Sequence, residues 1–576
     1  MTQIDATPQL QGFDDFINAT IEEWQLPGLA IAIVKDGKVV FSQGFGKRNM
    51  AQSLDVTPNT LFPIASCTKA FTATALGLLV DEGKLEWDTP VRNYLPAFKL
   101  HDPVASERMT PRDLLTHRSG LPRHDRAWYN SPLSRQEIFD RLQYLEPSQD
   151  FRNLWQYQNL MYMTAGYLLE KVSGQTWEEF VQQRIFAPLG MTASNFSIAD
   201  TKSRADFSLP YDDVNDEVQE IDFYERQQAV GPAGSIISSV EDMSKWLLFQ
   251  LNKGKVGEQQ IIAESQLAQI HTPQMVIPGP RRYTELSPAS YALGWMVMTY
   301  RGHLLVQHGG GIDGFSLLTT FLPDDNIGIV ILSNKDGCPA HTVVTYNACD
   351  RLLGMDEIGW NERIGKEYRE VMDALKKGIE PNYDDRVPDT QPSHDLDAYT
   401  GEFEHPGYGT IVVRREGEQL WLTLNKLDAP LTHFHYDIFL AVVRRFFFSS
   451  KVHFFIGPKG EIESLSIALE PAVKEITFKR AANKEMQEKS FLEQFVGNYE
   501  VLGLTCTVAL RGEKTLYLTV PGQPDYELLP YQGTAFQIKG HAGFSIEFKQ
   551  NEQGTVTDAV LTQPQGTMTA KRKVEE

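Results

Sequence analysis

The spacing of hydrophobic and polar positions changes character along this chain. Residues 28–46, GLAIAIVKDGKVVFSQGFG, place two apolar, β-rich runs on either side of Asp36-Gly37. An Asp-Gly pair between such runs predicts a hairpin closed by a tight primed turn. From Ser66 the run SCTKAFTATALGLLVDEG is apolar on most faces and stops at Gly83, the pattern of a buried helix ended by glycine. Helical spacing recurs over residues 110–117, 158–173 and 239–252; strand spacing returns over 291–300, 304–308, 315–322 and 327–333. Strands at both ends with helices between them predict one antiparallel sheet in which the first hairpin pairs with the returning strands. That is an α/β (α+β) unit closing near residue 350.

Residues 360–377 form a charged helical stretch. The segment after it, PNYDDRVPDTQPSHD, carries three prolines among polar residues, the composition of a linker. Beyond it short strands and turns alternate, and a repeat is visible. Leu396-Asp-Ala-Tyr399-Thr-Gly401-Glu-Phe403 aligns with Leu492-Glu-Gln-Phe495-Val-Gly497-Asn-Tyr499, each followed by two alternating strands around a charged turn. Two consecutive antiparallel barrels of roughly eighty residues fit this pattern, because closure removes exposed strand edges. The predicted boundaries are 1–355 for the first domain, 356–394 for a helical linker, and 395–482 and 490–576 for the barrels.

Composition narrows the function classes. A chain of 576 residues is too long for one core. Its 54 basic and 75 acidic residues give a formal charge of −21, which argues against nucleic acid as partner and is compatible with a small cationic substrate. The start, MTQIDATPQLQGFDDF, has neither a basic head nor an apolar stretch, so no secretory signal is expected. Nor is a membrane span, for want of a long uninterrupted apolar run. Cys67, Cys338, Cys349 and Cys506 are scattered without CxxC spacing and read as reduced thiols of a cytoplasmic protein. His433-Phe-His435 alternates in a strand-rich region and there is no His-Glu-x-x-His, so neither metal nor cofactor is expected. Homo-oligomerisation is left open.

Three short motifs carry candidate chemistry. In Ser66-Cys67-Thr68-Lys69, a Ser and a Lys three apart at a helix start share one face. The amine can then take the hydroxyl proton, which a serine needs to become nucleophilic. Tyr157-Gln158-Asn159 lies just ahead of the helical run LMYMTAGYLLEKVSG. Its phenol, lowered by a nearby lysine, would shuttle a proton, and its amide would orient that lysine and contact substrate. His308-Gly309-Gly310-Gly311 ends a strand signal, and glycines there let another group approach the backbone. Each alone has an ordinary explanation: a helix cap, a packed tyrosine, a glycine turn. Two further His-x-Gly triplets occur, at residues 405–407 and 541–543. No Gly-x-Ser-x-Gly elbow occurs.

The order Ser-x-x-Lys, Tyr-x-Asn, His-x-Gly resembles the penicillin-recognising, serine β-lactamase-like superfamily, in its class C β-lactamase, D-aminopeptidase and esterase branch. The flanks Thr116-His117-Arg118-Ser119-Gly120-Leu121, Gly231-Pro-Ala-Gly234 and Tyr291-Ala-Leu-Gly294-Trp295 resemble it too, over roughly residues 10–350. The resemblance implies a β-lactamase/transpeptidase-like domain followed by two lipocalin-like barrels. It implies Ser66 as nucleophile, Lys69 as base, Tyr157 as proton relay and His308 as the electrostatic residue of the third motif. Asn159, Gly309 and Gly310 would contact substrate, and Gly311 N–H would complete an oxyanion hole. Family members with Lys-Thr-Gly or His-Thr-Gly bind a substrate carboxylate with the threonine hydroxyl, which Gly309 lacks. The expected substrate is therefore a peptide, amide or ester with a free amino group or neutral acyl chain, hydrolysed by an aminopeptidase or amidase of the D-aminopeptidase type. A barrel loop would narrow the cleft and bring an acid into it. The alternatives are a carboxylesterase, a D-Ala-D-Ala carboxypeptidase or β-lactamase, and an inactive scaffold whose barrels bind a ligand.

Overall fold

A computed structural model describes residues 8–573 except 215, 226–227, 381, 459, 483 and 542; the first seven residues of the predicted leaderless start lie outside the described residues. The hairpin forms as β1 (Gly28–Lys35) and β2 (Lys38–Asn49). Its turn has both Asp36 and Gly37 at positive φ, 50° and 78°, as a primed turn requires. With β3 (Leu54–Asp55), β4 (Met275–Val276), β5 (Ser290–Tyr291), β6 (Met296–Tyr300), β7 (His303–Ile312), β8 (Phe315–Leu322) and β9 (Ile327–Ser333) it makes a nine-stranded sheet ordered β4-β5-β6-β7-β8-β9-β1-β2-β3. The hairpin pairs antiparallel with β9 from Leu29↔Ser333 to Lys35↔Ile327.

The apolar run in β1 is continuous because the strand is buried on both faces. Ala30, Ala32 and Val34 join one core with the helices that follow Ser66, whereas Leu29, Ile31 and Ile33 join a second. Among the helices, α1 (Phe13–Glu23), α2 (Thr68–Asp81), α3 (Leu160–Ser173), α4 (Val240–Leu251), α5 (Ala340–Leu352) and α6 (Trp360–Gly378) cover the sheet. Phe13 of α1, Val343 and Val344 of α5, and Trp360 of α6 belong to the second core. The predicted strand over 291–300 is in fact two, β5 and β6, parted by a turn at residues 292–295 in which Gly294 has φ 81°.

Two closed eight-stranded antiparallel barrels follow. The first runs from Gly401–His405 to Ile476–Arg480 and closes by Phe403↔Arg480; the second runs from Gly497–Val501 to Gly566–Arg572 and closes by Tyr499↔Arg572. The repeat extends to one arginine clasp built twice. Arg480 donates to the carbonyls of Ala398, Thr400 and Ile462 at 2.5–2.6 Å. Arg572 donates to those of Gln494, Val496 and Val556. In each case the final strand ties down the turn where the first begins. The interior of the first barrel is filled by packed rings, Tyr399, Phe439 and Phe454 lying within 5.6 Å of one another. Its core is continuous with that of the first domain, while the second barrel has a core of its own.

Candidate active site

Ser66 lies in the 3-10 turn Ala65–Cys67 that leads into α2. Ala65, just before it, has φ 45°, a conformation that costs a non-glycine residue of order 1 kcal/mol. Neighbours hold this turn on both sides: Ile64 N–H donates to Ile236 O at 2.8 Å. A Cβ on Gly310 would lie 2.5 Å from Ile64 O, so β7 reaches the Ser66 turn only because residue 310 has no side chain.

Lys69, on the first turn of α2, is completely buried. Its Nζ lies 3.1 Å from Ser66 Oγ, 2.8 Å from Asn159 Oδ1 and 2.9 Å from Ala233 O. Burial, reinforced by the Arg123 guanidinium, drives its pKa well below that of an ordinary lysine. Asn159 is free to face Lys69 because Gln158 does the capping at this helix start, accepting the Met161 N–H at 3.1 Å. The Tyr157 ring centroid is 4.9 Å from Lys69 Nζ, and its hydroxyl interacts with Ser66. Burial raises the Tyr157 phenol above its ordinary pKa, against the lowering by the Ser66 hydrogen bond and the Arg123 charge. The expected net depression by Lys69 is not found, because burial outweighs the charges around the phenol.

His308 is also buried, 1 % exposed. Its Nδ1 is 2.7 Å from Gly309 O and its Nε2 2.9 Å from the Tyr291 hydroxyl. Burial pushes it down to about 3, so the ring is neutral at neutral pH. Beyond it β7 pairs with β6 only through residues 303–307, while pairing with β8 continues to Ile312. The two-residue loop Asp313-Gly314 makes Ile312 and Phe315 the hydrogen-bonded pair. By alternation, Gly309 and Gly311 then direct their amides to the unpaired edge.

Ser66, Asn159 and Gly311 open on a cavity of about 580 Å³. Asp212, Asp313 and Asp336 line it from one side; Tyr129 donates a hydrogen bond to Asp313. Burial, with Asp212 and Asp313 nearby, pushes the Asp336 carboxyl up to about 7. The first barrel contributes Arg445, 3.8 Å from Asp212, and the corner Leu469-Glu470-Pro471. Glu470 accepts the His124 N–H at 2.9 Å and the Ala472 N–H at 3.2 Å, anchoring that corner to the catalytic domain.

The motif residues named from sequence thus converge on one cleft. Three participants were not singled out. Ala233 O and Tyr291 belong to flanking motifs whose roles depend on contacts 164 and 17 residues away. The barrel corner carries no local signal at all.

The model of the Beta-lactamase family matches residues 13–348, more than half of the chain. The chain belongs to the Beta-lactamase family. Residues 385–480 match a domain of unknown function, DUF3471, which covers the first barrel. Among relatives, Unguisins hydrolase ungD' of Aspergillus campestris is 28% identical over 84% of this chain and 95% of its own length. Protein flp of Staphylococcus aureus is 29% identical over 56% of this chain and 63% of its own. The octameric penicillin-binding protein homologue from Pyrococcus abyssi superposes with a TM-score of 0.54 at 24% identity, over 82% of this chain and all of that one, a likeness of fold. Members of the Beta-lactamase family are generally serine hydrolases, and among the described residues no helix of this one is long and apolar enough to cross a membrane.

Proposed function

We propose that this protein hydrolyses amide, peptide or ester bonds through an acyl-enzyme on Ser66. The observation that carries this is the environment of Lys69. A neutral amine has two N–H groups and one lone pair. Asn159 Oδ1 and Ala233 O accept the two N–H groups, and the lone pair faces the Ser66 hydroxyl at 3.1 Å. Lys69 then takes the Ser66 proton as Oγ bonds to the substrate carbonyl carbon. The N–H groups of Ser66 and Gly311 stabilise the oxyanion. As the tetrahedral adduct collapses, Tyr157 gives its proton to the leaving amine or alcohol and recovers one from the Lys69 ammonium, a transfer favoured by the raised phenol and depressed amine. Water then repeats the sequence to release the acid and free Ser66.

The substrate class follows from Gly309 and the cavity walls. Position 309 offers no hydroxyl to a carboxylate. The five acids lining the cavity, Asp125, Asp212, Asp313, Asp336 and Glu470, outnumber its three arginines, 123, 126 and 445. We favour substrates with a free amino group or neutral acyl chain, as for an aminopeptidase, amidase or esterase, over β-lactams and D-Ala-D-Ala peptides. The unpaired edge at Gly311 suits an extended peptide. The relative named Unguisins hydrolase supports hydrolysis as the reaction, and the packed barrel interior weighs against a ligand-binding scaffold. The test is a panel of D- and L-amino-acid amides, peptides, acyl esters and nitrocefin with wild-type, Ser66→Ala and Lys69→Ala protein. Both variants should lose nearly all turnover, without additivity. An unaltered rate in Ser66→Ala, or nitrocefin turned over faster than every amide and ester, would refute the respective part.

A further inference from the structure

We infer that Tyr291 is a positioning residue, which acts through a neutral His308 to hold the Gly309–Gly311 segment in register with Ser66. On the acyl-enzyme reading above, this makes the Tyr291-Ala-Leu-Gly294 turn a fourth part of the site, one that touches no substrate.

Tyr291 is fully buried at the end of β5. The turn after it lies on α2, the helix that carries Lys69. Gly294 is at φ 81°, and a Cβ there would be 2.8 Å from Lys69 O and 3.0 Å from Ala70 N, so only glycine permits the contact. From this seat the Tyr291 hydroxyl reaches His308 Nε2 at 2.9 Å. Its proton goes there because Gly309 O, 2.7 Å from His308 Nδ1, can only accept, which puts the single proton of a neutral ring on Nδ1 and leaves Nε2 to accept; the Tyr162 hydroxyl is farther off, at 3.4 Å. A phenol donating to Nε2 fixes the tautomer with the proton on Nδ1, and Nδ1–H donates to Gly309 O at 2.7 Å. That carbonyl faces the unpaired edge two residues before Gly311, and Gly310 between them rests on Ile64 O. One end of the chain of contacts is therefore the Lys69 backbone and the other the strand opposite Ser66.

The groups around His308 offer a proton no counter-ion: Lys69 of α2, the Cys67 thiol 3.1 Å from His308 O, the rings of Tyr157 and Tyr291 at 6.2 and 5.8 Å, and a neutral His117. A cation at this position would break the bond from Tyr291, so the ring works as a neutral strut.

Two experiments on the full-length protein decide it. Nitrogen-15 NMR of the imidazoles, with His308 assigned by its absence in His308→Asn, should show a neutral Nδ1–H ring from pH 8 down to pH 5. A doubly protonated ring at pH 6 overturns the inference. With p-nitrophenyl acetate, Tyr291→Phe should lose about ten- to a hundredfold in kcat with KM within about twofold, the signature of misplacement rather than lost binding. His308→Asn, whose amide can take over the bond to Gly309 O, should retain more activity than His308→Lys. Wild-type kcat in Tyr291→Phe, or His308→Lys matching or exceeding His308→Asn, overturns it. If Tyr291→Phe does not fold, the Asn and Lys variants decide. If Ser66→Ala still hydrolyses the ester at the wild-type rate, the acyl-enzyme reading has failed, and the NMR result still decides on His308.

Discussion

Adjacent glycines in β7 have opposite tolerances, and this separates structure from specificity. A Cβ on Gly310 would meet the backbone carbonyl of Ile64 at 2.5 Å, whereas on Gly309 it would meet nothing closer than Leu317 O at 3.7 Å. Gly310→Ala should therefore push β7 off the nucleophile turn, costing about 1–3 kcal/mol by overpacking and lowering kcat with it; a wild-type melting curve and turnover would contradict this. Gly309→Thr should fold normally and restore a hydroxyl for a substrate carboxylate. The ratio of kcat/KM on carboxylate-bearing to amine-bearing substrates should rise about tenfold, one charged hydrogen bond; an unchanged ratio would detach Gly309 from specificity. The meeting of Ser66, Lys69 and Asn159 was legible in the sequence because short spacings put these residues at helix starts. Ala233 was not, since a backbone carbonyl has no side-chain signature. The state of His308 was not either, because it is set by burial and by Tyr291.

At the scale of elements, the hairpin, the buried helix and the barrel repeat were readable. Each has a local marker: Asp36-Gly37, the glycine stop at Gly83, and the aligned pairs Tyr399-Gly401 and Phe495-Gly497. Helices α1 and α5 lacked one. α1 starts at a left-handed Gly12 without a side-chain cap and buries only Phe13, Ile17 and Thr20. α5, AHTVVTYNACDRL, is uncapped and rich in β-branched residues, so packing against the sheet overrides its weak propensity. The doubled arginine clasp gives a test at this scale. Arg572→Met removes the donor to three carbonyls and should destabilise the second barrel by about 2–4 kcal/mol. Because that barrel has a separate core, urea unfolding should gain an early transition while ester hydrolysis persists below it. A single unshifted transition would show that the clasp contributes nothing.

The whole molecule is a Beta-lactamase-family domain with one barrel fused to its core and a second appended. Glu470 on the His124 N–H, the Tyr408 hydroxyl 2.7 Å from His124 Nδ1 and a shared apolar cluster make the first barrel part of the cleft. Truncation before it would expose that cluster. Removing residues 483–576 leaves it covered and should keep hydrolysis within about twofold, as for distant independent sites. Protonation acts on the molecule as a whole. His271 and His341 are pushed down to about 4 and His308 to about 3 by burial, and His117 well below its ordinary value. Below about pH 6.5 the unfolded chain binds protons that these folded rings refuse, so stability falls as pH drops towards 4. Asp336, raised to about 7, acts in the opposite sense, since its folded carboxyl holds a proton that the unfolded one releases above about pH 4. His124 and His405 are lowered by burial in the same sense and Asp212 is raised like Asp336, so six rings against two carboxyls predict a net loss, measurable as a lower melting temperature at pH 5 than at pH 7; a flat or rising profile would contradict it.

Covalent trapping tests the central claim most directly. Incubating the protein with a fluorophosphonate and mapping the adduct by peptide mass spectrometry should yield one label per chain, on Ser66. The label should be absent from Ser66→Ala and slow to form in Lys69→Ala. Label on another residue, or none in a preparation that still hydrolyses an ester, would contradict the account.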